Sequence, residues 1–284
     1  NAMKTPRSIL VTGCSSGIGL CVARGLRERG YRVFATARRA RDDDSLLAEG
    51  FESLALDYDD SDSIHRAAEH VLEKTGGRLY ALFNNGAYGQ PGAVEDLSRD
   101  ALRAQFETTL FGWHELTRCV IPAMRDAGEG RIIQNSSVLG LAAMPFRGAY
   151  NATKFALEGL SDTLRMELRG SGIHVILVEP GPIESRFRAN SYRWFLEHID
   201  ADRSVFRDAY ARMTGRLTKE GRAAPFTLPP EAALKRVIQA LERPRPAPRY
   251  YVTLPTYVFG YLRRLLSTRA LDAVLRHAGG AGRR

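Results

Sequence analysis

The stretch that most constrains this chain is Ile9-Leu10-Val11 followed by Thr12-Gly13-Cys14-Ser15-Ser16-Gly17-Ile18-Gly19. The apolar run reads as a short buried strand. Leu20, Val22, Ala23 and Leu26 then recur with helical spacing until Gly30 closes the helix. A glycine turn between strand and helix aims free backbone N–H groups and the helix dipole at one point. Glycine also lets a pyrophosphate approach the backbone closely. Thr12, Gly13, Ser15, Ser16, Gly17, Ile18 and Gly19 are therefore candidate dinucleotide-binding residues.

The rest of the chain repeats the same grammar. Strand-like runs occur at Tyr31–Thr36, in "SLALDYDD", "LYALFNNGAYG" and "RIIQNSSV", and in "HVILVEPGPI". Helical stretches separate them at 61–74, 98–126 and 150–170. This alternation predicts an α/β fold: a Rossmann-type doubly wound parallel sheet with ligands at the carboxyl ends of the strands. A length of 284 residues and a hydrophobic content of 44% suit one large domain with a real core. After the second strand, where dinucleotide folds place an acid for the ribose 2′-hydroxyl, the chain reads Ala37-Arg38-Arg39. Arg38 pairs with a phosphate by charge and geometry, which favours NADP(H) over NAD(H). Ser15 and Ser16 are placed to add hydroxyl contacts to that phosphate. Asp57 has two readings, a contact to the adenine edge or a turn residue. Asn84, Asn85 and Gly86 fall where the sheet opens beside the cofactor, and Pro180 and Gly181 end the strand that meets the nicotinamide.

Ser137 ends a strand, and Tyr150 and Lys154 lie one turn apart on one helix face. A free Tyr titrates near ~10. A neighbouring ammonium favours the phenolate and brings that value toward working pH. Ser137 is placed to hydrogen-bond the oxygen that gains or loses the proton.

Taken in order, Thr-Gly-x-x-x-Gly-x-Gly at 12–19, Asn-Asn-Gly at 84–86, Ser137, Tyr150-x-x-x-Lys154 and Pro180-Gly181 resemble the short-chain dehydrogenase/reductase family. The resemblance covers residues 7–260. It is strongest to the branch of hydroxysteroid and retinol dehydrogenases and bacterial NADP-dependent aldehyde reductases. It implies an enzyme interconverting a lipophilic aldehyde or ketone (steroid- or retinoid-like molecules included) and its alcohol. Tyr150 would be the acid/base, and Lys154 would hold the nicotinamide ribose and depress the Tyr150 pKa. Ser137 would hold the substrate oxygen, while Ile183 and Ser185 would approach the carboxamide. Two positions depart from the family pattern. Thr109 stands where the family has an Asn that organises a relay water, and Asn-Asn-Gly-Ala replaces the more usual Asn-Asn-Ala-Gly. Thr109 keeps open a second reading, a weakly catalytic NADP(H) sensor acting through a partner. A sugar-nucleotide epimerase is disfavoured by the short C-terminal region.

Residues 3–260 are thus read as the Rossmann domain, with 183–229 as its substrate lid and 261–284 as a basic helical tail. Asn1-Ala2, before Met3, read as an expression remnant. In the lid, Phe187, Tyr192, Trp194, Phe195, Phe206 and Tyr210 either cover an apolar substrate or pack the lid on the body. Residues 240–284 hold nine Arg against two acids, net +7 of the chain's +9. A near-neutral body argues against a nucleic-acid surface. Leu262, Leu265, Leu266, Leu271, Val274 and Leu275 form one apolar side of the tail, for packing, oligomer contact or peripheral membrane contact. The helices at 98–126 and 150–170 match the family's dimer or tetramer interface. Cys14, Cys21 and Cys119 have no metal or disulfide spacing, and with no leader visible the expected location is cytoplasmic.

Overall fold

A computed structural model of the chain describes residues 6–219, 221 and 224–280. The Asn1-Ala2 remnant and the last four tail residues lie outside the described residues. The first strand, β1 (Ser8–Val11), is buried on both faces and leads through the glycine turn into α1 (Gly17–Glu28). Next come β2 (Arg32–Ala37), α2 (Ala40–Ala48), β3 (Glu52–Ala55), α3 (Ser61–Thr75) and β4 (Leu79–Asn84). Helix α4 (Arg99–Phe106) passes through a π-turn at Glu107–Phe111 into α5 (Gly112–Ala127). The predicted helix at 98–126 is therefore continuous but bulged. Then follow β5 (Gly130–Asn135), α6 (Gly148–Glu167), β6 (Ile173–Glu179), α7 (Phe187–His198) and α8 (Arg207–Leu217). The chain continues with α9 (Glu231–Glu242), β7 (Arg249–Tyr251), α10 (Leu254–Leu265) and α11 (Thr268–Ala278).

The seven strands form one parallel sheet in the order β3-β2-β1-β4-β5-β6-β7. Alternation along each strand sorts the core into two layers. Ile9, Val11, Val33 and Phe83 face α1 and α9 on one side; Leu10, Phe34, Leu82 and Ile132 face α3, α5 and α6 on the other. Because both faces are covered, the strands read as unbroken apolar runs. Strand order reverses between β1 and β4, so the carboxyl ends of those strands open a crevice.

A third, smaller core joins Phe195, Ile199, Tyr210 and Met213 of the α7–α8 segment to Ala93. The tail departs from its expected form. It is two helices, broken at Leu266 and Ser267, not one. Its expected single apolar side is also split: Leu275 is buried on the body, whereas Leu265 is exposed. No helix among the described residues is long and apolar enough to cross a membrane.

Candidate active site

The glycine corner is drawn in by close backbone approach. Gly13 has φ of +65°, and a Cβ there would lie 2.6 Å from the Gly86 Cα. A Cβ on Gly19 would fall 2.2 Å from the Gly13 carbonyl oxygen, so neither position takes a side chain without moving backbone. Ser16 precedes α1 without using its hydroxyl as a cap, and the first turn holds no acid. The N–H groups of that turn are thereby left to receive an anion. Thr12 locks the corner to β4: its Oγ1 accepts from the backbone N–H of Asn85 at 2.9 Å and of Gly86 at 3.2 Å. The Asn85 side-chain amide donates to the carbonyls of Thr12 and Gly13. Ser15 and Arg38 are exposed at this same end, Arg38 directly after β2.

Ser185 reaches back to the corner, its Cβ 3.3 Å from where a Gly17 Cβ would be. Ile183 forms an isolated parallel bridge with Leu228. The Pro180 carbonyl accepts from the Val138 N–H at 2.8 Å, and Gly181 packs so closely on Thr253 that a Cβ would lie 2.2 Å from its Oγ1. These contacts bring the ends of β1, β4, β5 and β6 to one crevice.

Two predicted cofactor residues have side chains engaged by the protein itself. Asn84 is fully buried: its Nδ2 donates to Gln134 and Thr117, and its Oδ1 accepts from the Tyr58 hydroxyl at 2.7 Å. It ties β4 to β5 and α5 and presents no side chain to the crevice. Asp57 lies two residues beyond β3, and its Oδ1 accepts from the Asp59 N–H at 3.0 Å. That bond fits the turn reading of Asp57.

Ser137, Tyr150 and Lys154 converge at the end of β5 and the start of α6. The Tyr150 phenol lies within the influence of Ser137, whose Oγ accepts from the Leu139 N–H at 3.1 Å. Lys154 is 1% exposed. Its Nζ donates to the Asn135 carbonyl at 2.8 Å and lies 4.3 Å from the centre of the Trp113 ring. Burial brings the Lys154 ammonium down to about 7, opposed by the Glu158 carboxylate one turn further on. Burial also pushes the Tyr150 phenol well above its ordinary value, with the Ser137 hydrogen bond pulling the other way. The expected depression of the Tyr150 pKa by Lys154 is therefore not found. Desolvation sets the direction, and Lys154 is not among the causes.

Thr109 also differs from expectation. It sits fully buried inside the π-turn, donating to the Gln105 carbonyl and accepting from the Gln105 amide, both at 2.7 Å. Its hydroxyl is closed within the helix and does not reach toward Tyr150 as a relay.

Residues the sequence left unmarked support the site. Trp113 donates to the Gly86 carbonyl at 2.9 Å while its ring underlies Lys154. Asn135 joins Lys154 to Asn85, since its amide donates to Asn85 Oδ1 at 2.8 Å. Behind Lys154, Arg249 of β7 bridges Glu158, Asp162 and the buried Glu179. Burial and the Glu158 charge push the Glu179 carboxyl far above the usual carboxylate range. The only sequence signal for these partners is position: Glu158 follows Lys154 by four on the same helix, and Glu179 directly precedes Pro180-Gly181.

An open parallel α/β sheet, a glycine corner at its switch point and a Ser–Tyr–Lys cluster beside it define a dinucleotide-dependent dehydrogenase scaffold. The short chain dehydrogenase family model matches residues 7–195, and the chain belongs to that family as an oxidoreductase. The uncharacterized oxidoreductase YbbO of Escherichia coli is 43% identical over 269 residues, covering 95% of this chain and 94% of that one. Human 17-beta-hydroxysteroid dehydrogenase type 1 is 30% identical over 272 residues, covering 86% and 77%. A short-chain dehydrogenase structure from Streptomyces avermitilis superposes with a TM-score of 0.75 at 30% identity, covering 94% and 95%.

Proposed function

We propose that the chain is an NADP(H)-dependent reductase or dehydrogenase interconverting a lipophilic carbonyl compound and its alcohol. The observation that carries this reading is the convergence of Ser137, Tyr150 and Lys154 at the crevice beside the glycine corner. Gly13 and Gly19 let the corner close on its own backbone, and the uncapped, acid-free first turn of α1 leaves N–H groups free, so the corner fits the pyrophosphate of a dinucleotide. When bound, the nicotinamide supplies or accepts the hydride.

Thr12, Gly13, Ser15, Ser16, Gly17, Ile18, Gly19, Asn85 and Gly86 would form the dinucleotide cradle, with Pro180, Gly181, Ile183 and Ser185 at its other end. Arg38 would receive the 2′-phosphate, since no acid stands at 37–39 to prefer a free ribose hydroxyl. Ser137 orients the substrate oxygen. Tyr150, a phenol protonated across neutral pH, gives its proton to that oxygen in reduction. Lys154, fixed by Asn135 and Trp113, keeps donors free for the nicotinamide ribose. The lipophilic substrate class rests on the aromatic rim: Phe187 meets the Tyr150 ring edge-on at 5.4 Å, and Trp194 stacks on Tyr88 at 4.3 Å. The α7–α8 segment would act as a lid over that rim, and the working unit would be a homo-oligomer.

The test is oxidation of NADPH and, separately, NADH against aliphatic, aromatic, steroid and retinoid carbonyls. Tyr150→Phe is expected to lower kcat by about 10²-fold or more while retaining NADPH binding. Arg38→Glu is expected to weaken NADPH by roughly 10-fold to 100-fold and spare NADH, the size of one lost charge-assisted hydrogen bond. Preference of the native protein for NADH would overturn the role of Arg38. Tight NADPH binding with no turnover of any carbonyl would favour a cofactor sensor instead.

A further inference from the structure

Helix α10 is seated the opposite way round from a core-facing amphipathic helix. Its buried positions are the small residues Thr256 and Gly260, and a Cβ on Gly260 would lie 2.8 Å from the Tyr251 hydroxyl. Phe259 and Leu262 are half-buried, and its other large apolar residues point outward. Leu254, Tyr257, Val258, Tyr261 and Leu265 are 52, 38, 42, 56 and 78% exposed. Their spacing places them on a single stripe along the helix.

Charge is arranged around that stripe. Arg264 follows Tyr257 by seven residues and so lies on nearly the same side, and Arg236 of α9 donates to the Tyr257 hydroxyl at 3.2 Å. Arg263 is turned to the body instead, donating to the Leu141 carbonyl at 2.7 Å. From Leu254 onward the chain carries six arginines and one acid, Asp272. By contrast, α11 buries Leu275 on the body with Leu271 and Val274 half-buried, so its apolar side is already occupied.

We propose that the outward stripe of α10 docks on an anionic lipid bilayer, apolar side chains in the acyl boundary and Arg236 and Arg264 at the headgroups. A second copy fits less well. A two-fold contact through this stripe would set arginines against arginines, and α10 has no acid to answer them. The lipid surface also lies close to the crevice: Thr253, at the start of α10, packs on Gly181, and Arg263 ties the helix to the segment after Ser137. Docking stands on this geometry alone. Its use, delivering substrate that partitions into lipid, rests on the carbonyl reading above.

The test is flotation of the full chain with mixed phosphatidylglycerol/phosphatidylcholine vesicles and with phosphatidylcholine alone, at low and high salt. Native protein is expected to float with the anionic vesicles and to be released by salt. Val258→Ser with Leu265→Ser is expected to cut binding by about tenfold or more, and Arg264→Gln to weaken it less. Both sites face solvent, so melting temperature should stay unchanged and certifies the fold. Failure of the native chain to float, or equal flotation of the double variant, overturns the proposal. So does a double variant that only dissociates a multimer, which would make the stripe a contact between copies. Carbonyl turnover is measured separately: flotation without turnover sinks the carbonyl reading and leaves docking standing.

Discussion

At the scale of single residues, Lys154 shows how burial changes what a motif does. The spacing to Tyr150 is plain in the sequence, because four residues are one helical turn. What spacing does not contain is desolvation, which brings the ammonium from its ordinary 10.5 to about 7. Between those values the unfolded chain binds more protons than the native one, so this residue makes stability rise with pH across that window. Below the native value the cost of burying the charge is fully present. Lys154→Met is therefore expected to stabilise the protein below pH 7, on the order of a few kcal/mol, with the gain fading toward pH 10. Denaturant melts of both proteins across that range check this. A gain that is constant with pH would mean that packing, not charge, is responsible. Thr109 and Asn84 were misplaced for a related reason. Each polar side chain is satisfied inside the protein, Thr109 by Gln105 one turn back and Asn84 by Gln134, fifty residues along, which leaves no local mark.

At the scale of elements, the strands and the glycine corner were legible because their patterns are local: apolar runs, a turn, a helical period. The aromatic-rich segment was not, since the same ring can pack a helix or line a crevice. The structure separates them. Phe195 and Tyr210 are buried in the small core, with Phe206 packed against it, whereas Phe187 and Trp194 meet Tyr150 and Tyr88. Tyr210 is also the segment's polar anchor. Its hydroxyl donates to Asp96 and accepts from the Ala93 N–H at 2.9 Å, and Ser204 donates to the same carboxylate at 2.6 Å. Tyr210→Phe keeps the ring but leaves the Ala93 N–H unpaired. A loss of about 1–3 kcal/mol in local stability is expected, seen as a raised KM with kcat nearly unchanged if α7–α8 closes over substrate. A fall in kcat at constant KM would instead place this segment in the chemical step.

At the scale of the whole molecule, two outward apolar faces on helices stand out among the described residues after the sheet has covered itself. One is the stripe on α10. The other lies between α5 and α6, where Leu110, Phe111, His114, Ala156 and Leu160 line a shallow groove and Phe111 and Leu160 are 48 and 41% exposed. The two differ in charge surroundings. The α10 stripe is flanked by Arg236 and Arg264, but the α5–α6 groove is lined by Leu110, Phe111, His114, Ala156, Leu160 and Thr163 with no arginine or lysine among them, so it can face its own copy without net repulsion. A symmetric contact needs roughly 800 Å² from each protomer, and two long parallel-running helices are the elements able to supply it. The native chain is accordingly expected to be at least a dimer by light scattering. Phe111→Glu with Leu160→Glu should shift it to monomer, because the change sets carboxylates against their symmetry mates in an apolar contact. The α10 variants should leave that size unchanged. If they dissociate the protein and the α5–α6 variants do not, the assignments of the two faces must be exchanged.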